Sequence, residues 1–359
     1  MKKILIIVPD LELNGAQTVL SELLQLYYFS NAQIDMISPS DGKYHEIYKN
    51  KNVNVSIRPY VMGDMAFRRH LQTDYDIVLI NTSSCLPYLF YFFNTDVPVF
   101  VWLHESLSEL RVENHYFPDP RLYSDNIHLC GVTENTRDAI YKIFGEVPFT
   151  ILPMPIRDVS EKTYFDISKI DSKLLEKIDG KVLFFLPAAY TIIKGQDLML
   201  KAIINLPAEY SSKAHFIFCG YTLPGQIEYY NSLKSVCEKL NNVTMLSELS
   251  RNDVYHWYQA CDCVLAPSRV DTTPTTIVEA AMFSKLILLS DACGVSRYLK
   301  DCESAFIFPN ENIEELTKRI MLIISDYNNL MPIANNGRKM YEEHFSTNSV
   351  SNVISNLFP

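Results

Sequence analysis

The sequence predicts an α/β protein of two doubly wound halves, and three observations carry that prediction. Short apolar runs alternate with longer amphipathic stretches from end to end, the pattern of βα units that build parallel sheets covered by helices. The 359 residues exceed one ordinary core and suit two domains of about 150 to 200 residues. A weak internal repeat, KILIIVP at 3–9 and KVLFFLP at 181–187, opens each half with a strand ending in proline. Two such halves imply a cleft between them.

Taken in order, the apolar runs place strands in the first half at 4–8, 32–37, 53–57, 77–80, 97–103, 127–132 and 149–152. In the second half they fall at 182–186, 215–219, 243–245, 263–266, 286–289 and 305–307. The stretch 153–180, with Pro153, Pro155 and many charged residues, reads as the linker and the lead-in to the second half. A helix is expected near 313–326, and 337–359 is helical in pattern. The expected division is therefore 1–157, 158–336 and a closing helix over 337–359.

Composition excludes several function classes. A net charge of -10 disfavours nucleic-acid binding, because phosphate neutralisation needs a basic face. The opening MKKILIIVPD has too short an apolar run for a signal peptide. The apolar stretch 86–103 is broken by Asn94, Asp96 and Pro98, short of the roughly 20 apolar residues that span a bilayer. Eight cysteines without a CxxC pair or regular spacing fit reduced, buried thiols in the cytosol. The basic FRRH at 67–70 reads as an exposed turn and the aromatic run 88–93 as a buried helix; a lipid-linked acceptor docking there at the membrane surface is the alternative.

In parallel sheets ligands bind beyond the carboxyl ends of strands, so the loops after each strand are searched for chemistry. LNGAQTV at 13–19 follows the first strand: Gly15 allows close backbone approach, and Ala16 begins a helix whose free N–H groups can face an anion. Alone, this loop fits an ordinary helix start better. PAAYTIIKGQD at 187–197 is the matching loop of the second half, where Lys194 beside Gly195 could neutralise a diphosphate or stay solvated. The third loop is more specific. After CVLAPS come Arg269, Val270 and Asp271, then TTPTTIVEAAMF, with Thr273 suited to the N-cap and Pro274 to the first helical position. The N–H groups of Thr275 and Thr276 would then point outward at an anion, bracketed by Asp271 and Glu279. Hydroxyl-rich groups flanking a diphosphate would use these acids: a sugar near Asp271 and a ribose near Glu279.

PSRVDTTPTTIVEAAMFSKLILLSDACG resembles the donor-binding signature of family 4 retaining glycosyltransferases of the GT-B fold, in which two acids are separated by seven positions, as Asp271 and Glu279 are. Other parts follow in order: Asn14 and Gly15 as a version of the paired-glycine loop, His104 and Glu105 in VWLHES, the Lys194 and Gly195 pair, and a terminal GRKMYEEHFS. The resemblance runs over about residues 1–350 and implies two Rossmann-like domains facing across a cleft, with the closing helix crossing back to the first. By that resemblance, Lys194 contacts the donor diphosphate, Thr275 and Thr276 bind phosphate through backbone N–H groups, and Gly15 closes over it. Glu279 holds ribose hydroxyls, Asp271 the transferred sugar, His104 lies at the sugar's reacting face, and Gln17 touches the acceptor. The sequence departs from the pattern twice: Ala189 stands where an arginine is usual, and Asp271 is one methylene shorter than the usual glutamate.

The function so implied is transfer of a sugar, with retention, from a nucleotide diphosphate, with UDP-sugar as the expected co-substrate. The acceptor would be a glycan, a lipid-linked sugar or a glycoprotein, as in bacterial surface polysaccharide or glycoconjugate synthesis. No resident cofactor and no metal are expected, since the Asp74 and Asp76 pair precedes a strand instead of following one. The expected location is the cytoplasm, including the inner face of the membrane. Two rivals remain: a non-catalytic GT-B-like subunit that binds a glycosylated acceptor or a partner transferase, and an epimerase on the same scaffold.

Overall fold

A computed structural model describes residues 1–12, 14–59, 65–113, 117–164, 166 and 170–358. It divides into two units: residues 1–157 with 345–359, and residues 158–344. Each expected apolar run forms a strand, giving thirteen strands among the described residues.

The first unit contains β1 (Lys3–Ile7), β2 (Gln33–Ser38), β3 (Val53–Ile57), β4 (Ile77–Asn81), β5 (Val99–Leu103), β6 (Ile127–Gly131) and β7 (Thr150–Ile151). They form one parallel sheet in the order β3-β2-β1-β4-β5-β6-β7. Every residue of β4 and β5 is buried, which is why both read as unbroken apolar runs. At the sheet edge, β3 (VNVSI) buries only Val53. The second unit contains β8 (Val182–Pro187), β9 (Ala214–Cys219), β10 (Val243–Leu246), β11 (Cys263–Ala266), β12 (Leu286–Ser290) and β13 (Phe306–Phe308). Its parallel order is β10-β9-β8-β11-β12-β13.

In both sheets the strand order reverses beside the first strand. The crevices therefore open between β1 and β4 in one unit and between β8 and β11 in the other, where ligands of doubly wound sheets bind. Phe184 and Phe185 of β8 pair with Cys263 and Val264 of β11, so the loops that follow Pro187 and Ala266 leave side by side.

The closing segment differs from the single helix expected over 337–359. One helix, Met331–His344, ends in the second unit; another, Thr347–Leu357, belongs to the first. The break is built locally. Phe345 is fully buried and its carbonyl accepts the Ile156 N–H, while Ser346 turns extended and accepts the Ser349 N–H as an N-cap. Beyond it, Phe358 packs on Phe100 and Phe29 of the first unit, with ring centroids 4.3 and 5.8 Å apart.

The FRRH segment lies in the helix Met65–Thr73 instead of a turn, with Phe67 buried beneath the Arg58 guanidinium. The aromatic run falls largely in the 3-10 helix Ser83–Tyr91, where Tyr88 and Tyr91 are buried and Phe90 is half-exposed. All eight cysteines are free thiols, seven of them buried. No helix of the described residues is long and apolar enough to cross a membrane.

Candidate active site

In the second unit, the chain leaving β8 forms a short 3-10 turn at Ile192–Lys194 and enters the helix Gln196–Ile204 through Gly195. Gly195 has φ 72°, and a Cβ there would stand 2.0 Å from the Pro267 carbonyl oxygen. The glycine thus serves a backbone crossing: the β8 loop lies directly against the exit of β11, and no side chain fits between them. Arg269 fastens the same crossing. Its N–H donates to the Ile193 carbonyl at 2.7 Å, its guanidinium grips Asp197 with two bonds of 2.8 Å, and its Nε donates to Glu311 at 2.7 Å.

The crossing brings Lys194 and Asp271 together, with Nζ and Oδ2 2.5 Å apart. Burial disfavours the charge on Lys194, but the adjoining Asp271 carboxylate outweighs it and raises the ammonium's pKa overall. Asp271 is fixed in turn by the loop after β12: its carbonyl accepts the Gly294 N–H at 2.8 Å.

The helix Thr275–Met282 starts one residue later than the sequence suggests. Pro274, not Thr273, is the N-cap; its carbonyl accepts the Ile277 N–H, and no side chain caps the end. Among the described residues, no acceptor of the chain takes the N–H groups of Thr275 and Thr276, and the Thr273 hydroxyl is buried without a partner. One turn on, Glu279 is only 7% exposed. Arg251 Nη2 reaches its Oε1 at 3.0 Å, and the Tyr258 hydroxyl donates to its Oε2 at 3.0 Å.

In the first unit, β1 leads to the helix Gly15–Leu23, capped by Asn14, whose Oδ1 accepts the Gln17 N–H at 2.9 Å. Leu13, at the head of the expected loop, lies outside the described residues. Gly15 is exposed, and a Cβ there would meet nothing within 4 Å, so this helix end is open to approach; Ala16 beside it is half-buried. Gln17, expected at the acceptor, is instead fully buried. Its Nε2 donates to the Asp10 carbonyl at 2.6 Å and its Oε1 accepts from the Tyr48 hydroxyl at 2.6 Å, so its amide organises the β1 loop.

His104 follows β5, with Nε2 2.9 Å from Asn81 Oδ1 and its ring 4.4 Å from that of Trp102. Burial pushes its pKa down to about 3, so the ring is neutral; the proton held between Nε2 and Asn81 leaves Nδ1 as an acceptor. Glu105 joins two strand exits, accepting the N–H of Ser83 after β4 at 2.7 Å and that of His104 at 2.9 Å. Its own burial raises its pKa against these bonds.

The predicted residues are divided between the units: Lys194, Asp271, Thr275, Thr276 and Glu279 lie in the second, and Gly15, Ala16, Gln17 and His104 in the first. Sequence reasoning missed Arg251, Tyr258 and Arg269; Arg269 lies just after β11, but Arg251 and Tyr258 lie on the helix Arg251–Ala260, and nothing in that segment alone marks them. Asp76 accepts the Lys3 N–H at 2.8 Å and Asp74 pairs with His70, both before β4, at the edge opposite these loops. Among the described residues, no three His, Cys, Asp or Glu side chains are grouped to hold a metal.

Residues 166–340 match the family described as Glycosyl transferases group 1. An uncharacterized glycosyltransferase of Haemophilus influenzae is 23% identical over 172 residues, which are 47% of this chain and 47% of that protein. The match thus spans about half the length of this curated relative. Among solved structures, Anabaena Alr3699/HepE in complex with UDP and glucose superposes with a TM-score of 0.82 at 19% identity, covering 99% of both chains. A glycosyltransferase of Rickettsia africae gives 0.76 at 15% identity, covering 99% and 97%. WaaG, a glycosyltransferase of lipopolysaccharide biosynthesis, gives 0.69 at 15% identity, covering 98% and 99%. The chain has the GT-B fold, and its residues 166–340 are similar to the Glycosyl transferases group 1 family.

Proposed function

We propose that this protein is a retaining, metal-independent glycosyltransferase of family 4 that moves a sugar from a nucleotide diphosphate, with UDP-sugar as donor. The observation that carries this reading is the Lys194 and Asp271 pair beside the open start of the helix Thr275–Met282. Lys194 is paired with Asp271, which lies four residues before a helix start whose first N–H groups have no acceptor among the described residues, and both follow strands at the switch point of a doubly wound sheet. A diphosphate placed there meets preorganised positive charge that strengthens as the phosphate departs. Glu279 takes the ribose hydroxyls and Asp271 those of the sugar, and the open helix end at Gly15 and Ala16 is assigned to donor binding. The bond from the anomeric carbon to phosphate oxygen breaks, the bond to the acceptor oxygen forms on the same face, and the acceptor proton passes to the departing phosphate. Neutral His104 accepts a hydrogen bond at that face through Nδ1.

The acceptor is a hydroxyl of a glycan, a lipid-linked sugar or a glycoprotein, in bacterial surface polysaccharide or glycoconjugate synthesis at the cytoplasmic side of the membrane. Alr3699/HepE, of like fold, holds UDP and glucose, which supports the donor class. The domain roles follow from the same reading: the first unit for the acceptor and the second, residues 158–344, for the donor.

A second reading, a binding subunit without turnover, is favoured by Ala189 at the usual arginine position and by Arg269, whose guanidinium is committed to Asp197 and Glu311. Incubation with a panel of sugar nucleotides separates the two. Release of nucleoside diphosphate from at least one donor is expected; tight nucleotide binding with no release from any donor would favour the second reading.

A further inference from the structure

We infer that Tyr258 and Arg251 are positioning residues for nucleotide recognition, acting through Glu279; the inference rests on the donor reading above. A carboxylate as buried as Glu279 needs donors to hold one orientation, and the helix Arg251–Ala260, not its own helix, supplies Arg251 and Tyr258. The Tyr258 hydroxyl is within reach of two acceptors, Glu279 Oε2 at 3.0 Å and the Thr276 carbonyl at 3.2 Å. One phenol therefore registers the proposed ribose acid against the first turn that presents N–H groups to the diphosphate.

Packing leaves that phenol no second position. Tyr258 is fully buried, stacked on Phe283 at 5.4 Å and set edge-on to Phe185 at 5.7 Å. Burial and the facing Glu279 charge push its pKa well up, so it stays a proton donor. Arg251 grips the other carboxylate oxygen and is itself braced by the Tyr255 hydroxyl at 2.5 Å. Held from both oxygens, Glu279 keeps one orientation toward a vicinal diol, the arrangement that ribose offers.

The test is binding of UDP and of its 2′-deoxy and 3′-deoxy analogues to the full chain, measured by calorimetry, with a thermal melt on each variant. The unchanged protein should bind UDP more tightly than either analogue, and Glu279→Gln should lose that discrimination. Tyr258→Phe, which keeps the ring packing, should weaken UDP by about tenfold, the scale of a hydrogen bond to a charged group, while leaving the deoxy analogues nearly unaffected. Arg251→Ala should do the same, with Arg251→Lys recovering part of the loss. A merely structural role would weaken all three ligands alike. Full discrimination retained in Tyr258→Phe and Arg251→Ala but lost in Glu279→Gln would overturn the positioning role alone. An unchanged protein that binds no UDP, or ignores its ribose hydroxyls, would overturn the donor reading and this inference with it.

Discussion

Replacing Gly195 by alanine tests why a glycine follows the lysine. At φ 72° an alanine sits in the left-handed region, which costs about 1 to 2 kcal/mol. Its Cβ would also lie 2.0 Å from the Pro267 oxygen, where real contacts do not fall below 3.0 Å, so the crossing must open by about 1 Å. Forcing such a shift in packed structure adds about 1 to 3 kcal/mol. The combined loss, about 2 to 5 kcal/mol, should lower Tm by roughly 4 to 20 °C for a unit of this size. Lys194 rides on the displaced loop, and misplacing a charge by about 1 Å can cost about a hundredfold in turnover. Thermal unfolding and steady-state kinetics read the two effects separately. A variant with unchanged Tm and unchanged turnover would refute the crossing as the reason for the glycine.

The companion substitution Gly15→Ala meets open space, so stability should hold or rise by up to about 1 kcal/mol in urea unfolding while KM for the donor increases; an unchanged KM would take Gly15 away from the substrate. Lys194→Ala should lower kcat by roughly 10²- to 10³-fold, the scale for losing one preorganised donor, and Lys194→Arg should retain part of the rate. His104 has a folded pKa of about 3 against an ordinary 6.5, so the unfolded chain binds its proton first. Its contribution to stability is complete above about pH 6.5 and is lost as pH falls toward 3, with a slope of up to about one proton. Urea titrations between about pH 6.5 and 4 should show a shallower slope for His104→Asn, and an identical slope would place the effect elsewhere.

Much of the fold was legible because burial on both faces writes a strand as an unbroken apolar run: IVLI at 77–80 and VFVWL at 99–103 need no partner to be recognised. The spacing of Asp271 and Glu279 was legible for a related reason, since both flank one helix start. The resemblance puts Gln17 at the acceptor, and helix position alone does not say that Tyr48, 31 residues on, closes over it. The break at Phe345 and Ser346 escaped because neither glycine nor proline marks it; burial of one ring and a serine cap make it.

The sequence by itself determined the thirteen strands, the doubly wound class and the acid-flanked helix, all of which follow from local periodicity and capping chemistry. Only the tertiary structure decided that Lys194 meets Asp271 across 77 residues, that Gly195 yields to the Pro267 carbonyl, and that Arg251 and Tyr258 hold Glu279. Each of these depends on β8 lying beside β11 and on the helix Arg251–Ala260 meeting Thr275–Met282. Such neighbours are chosen by packing between distant segments, and no pattern within a single segment encodes them.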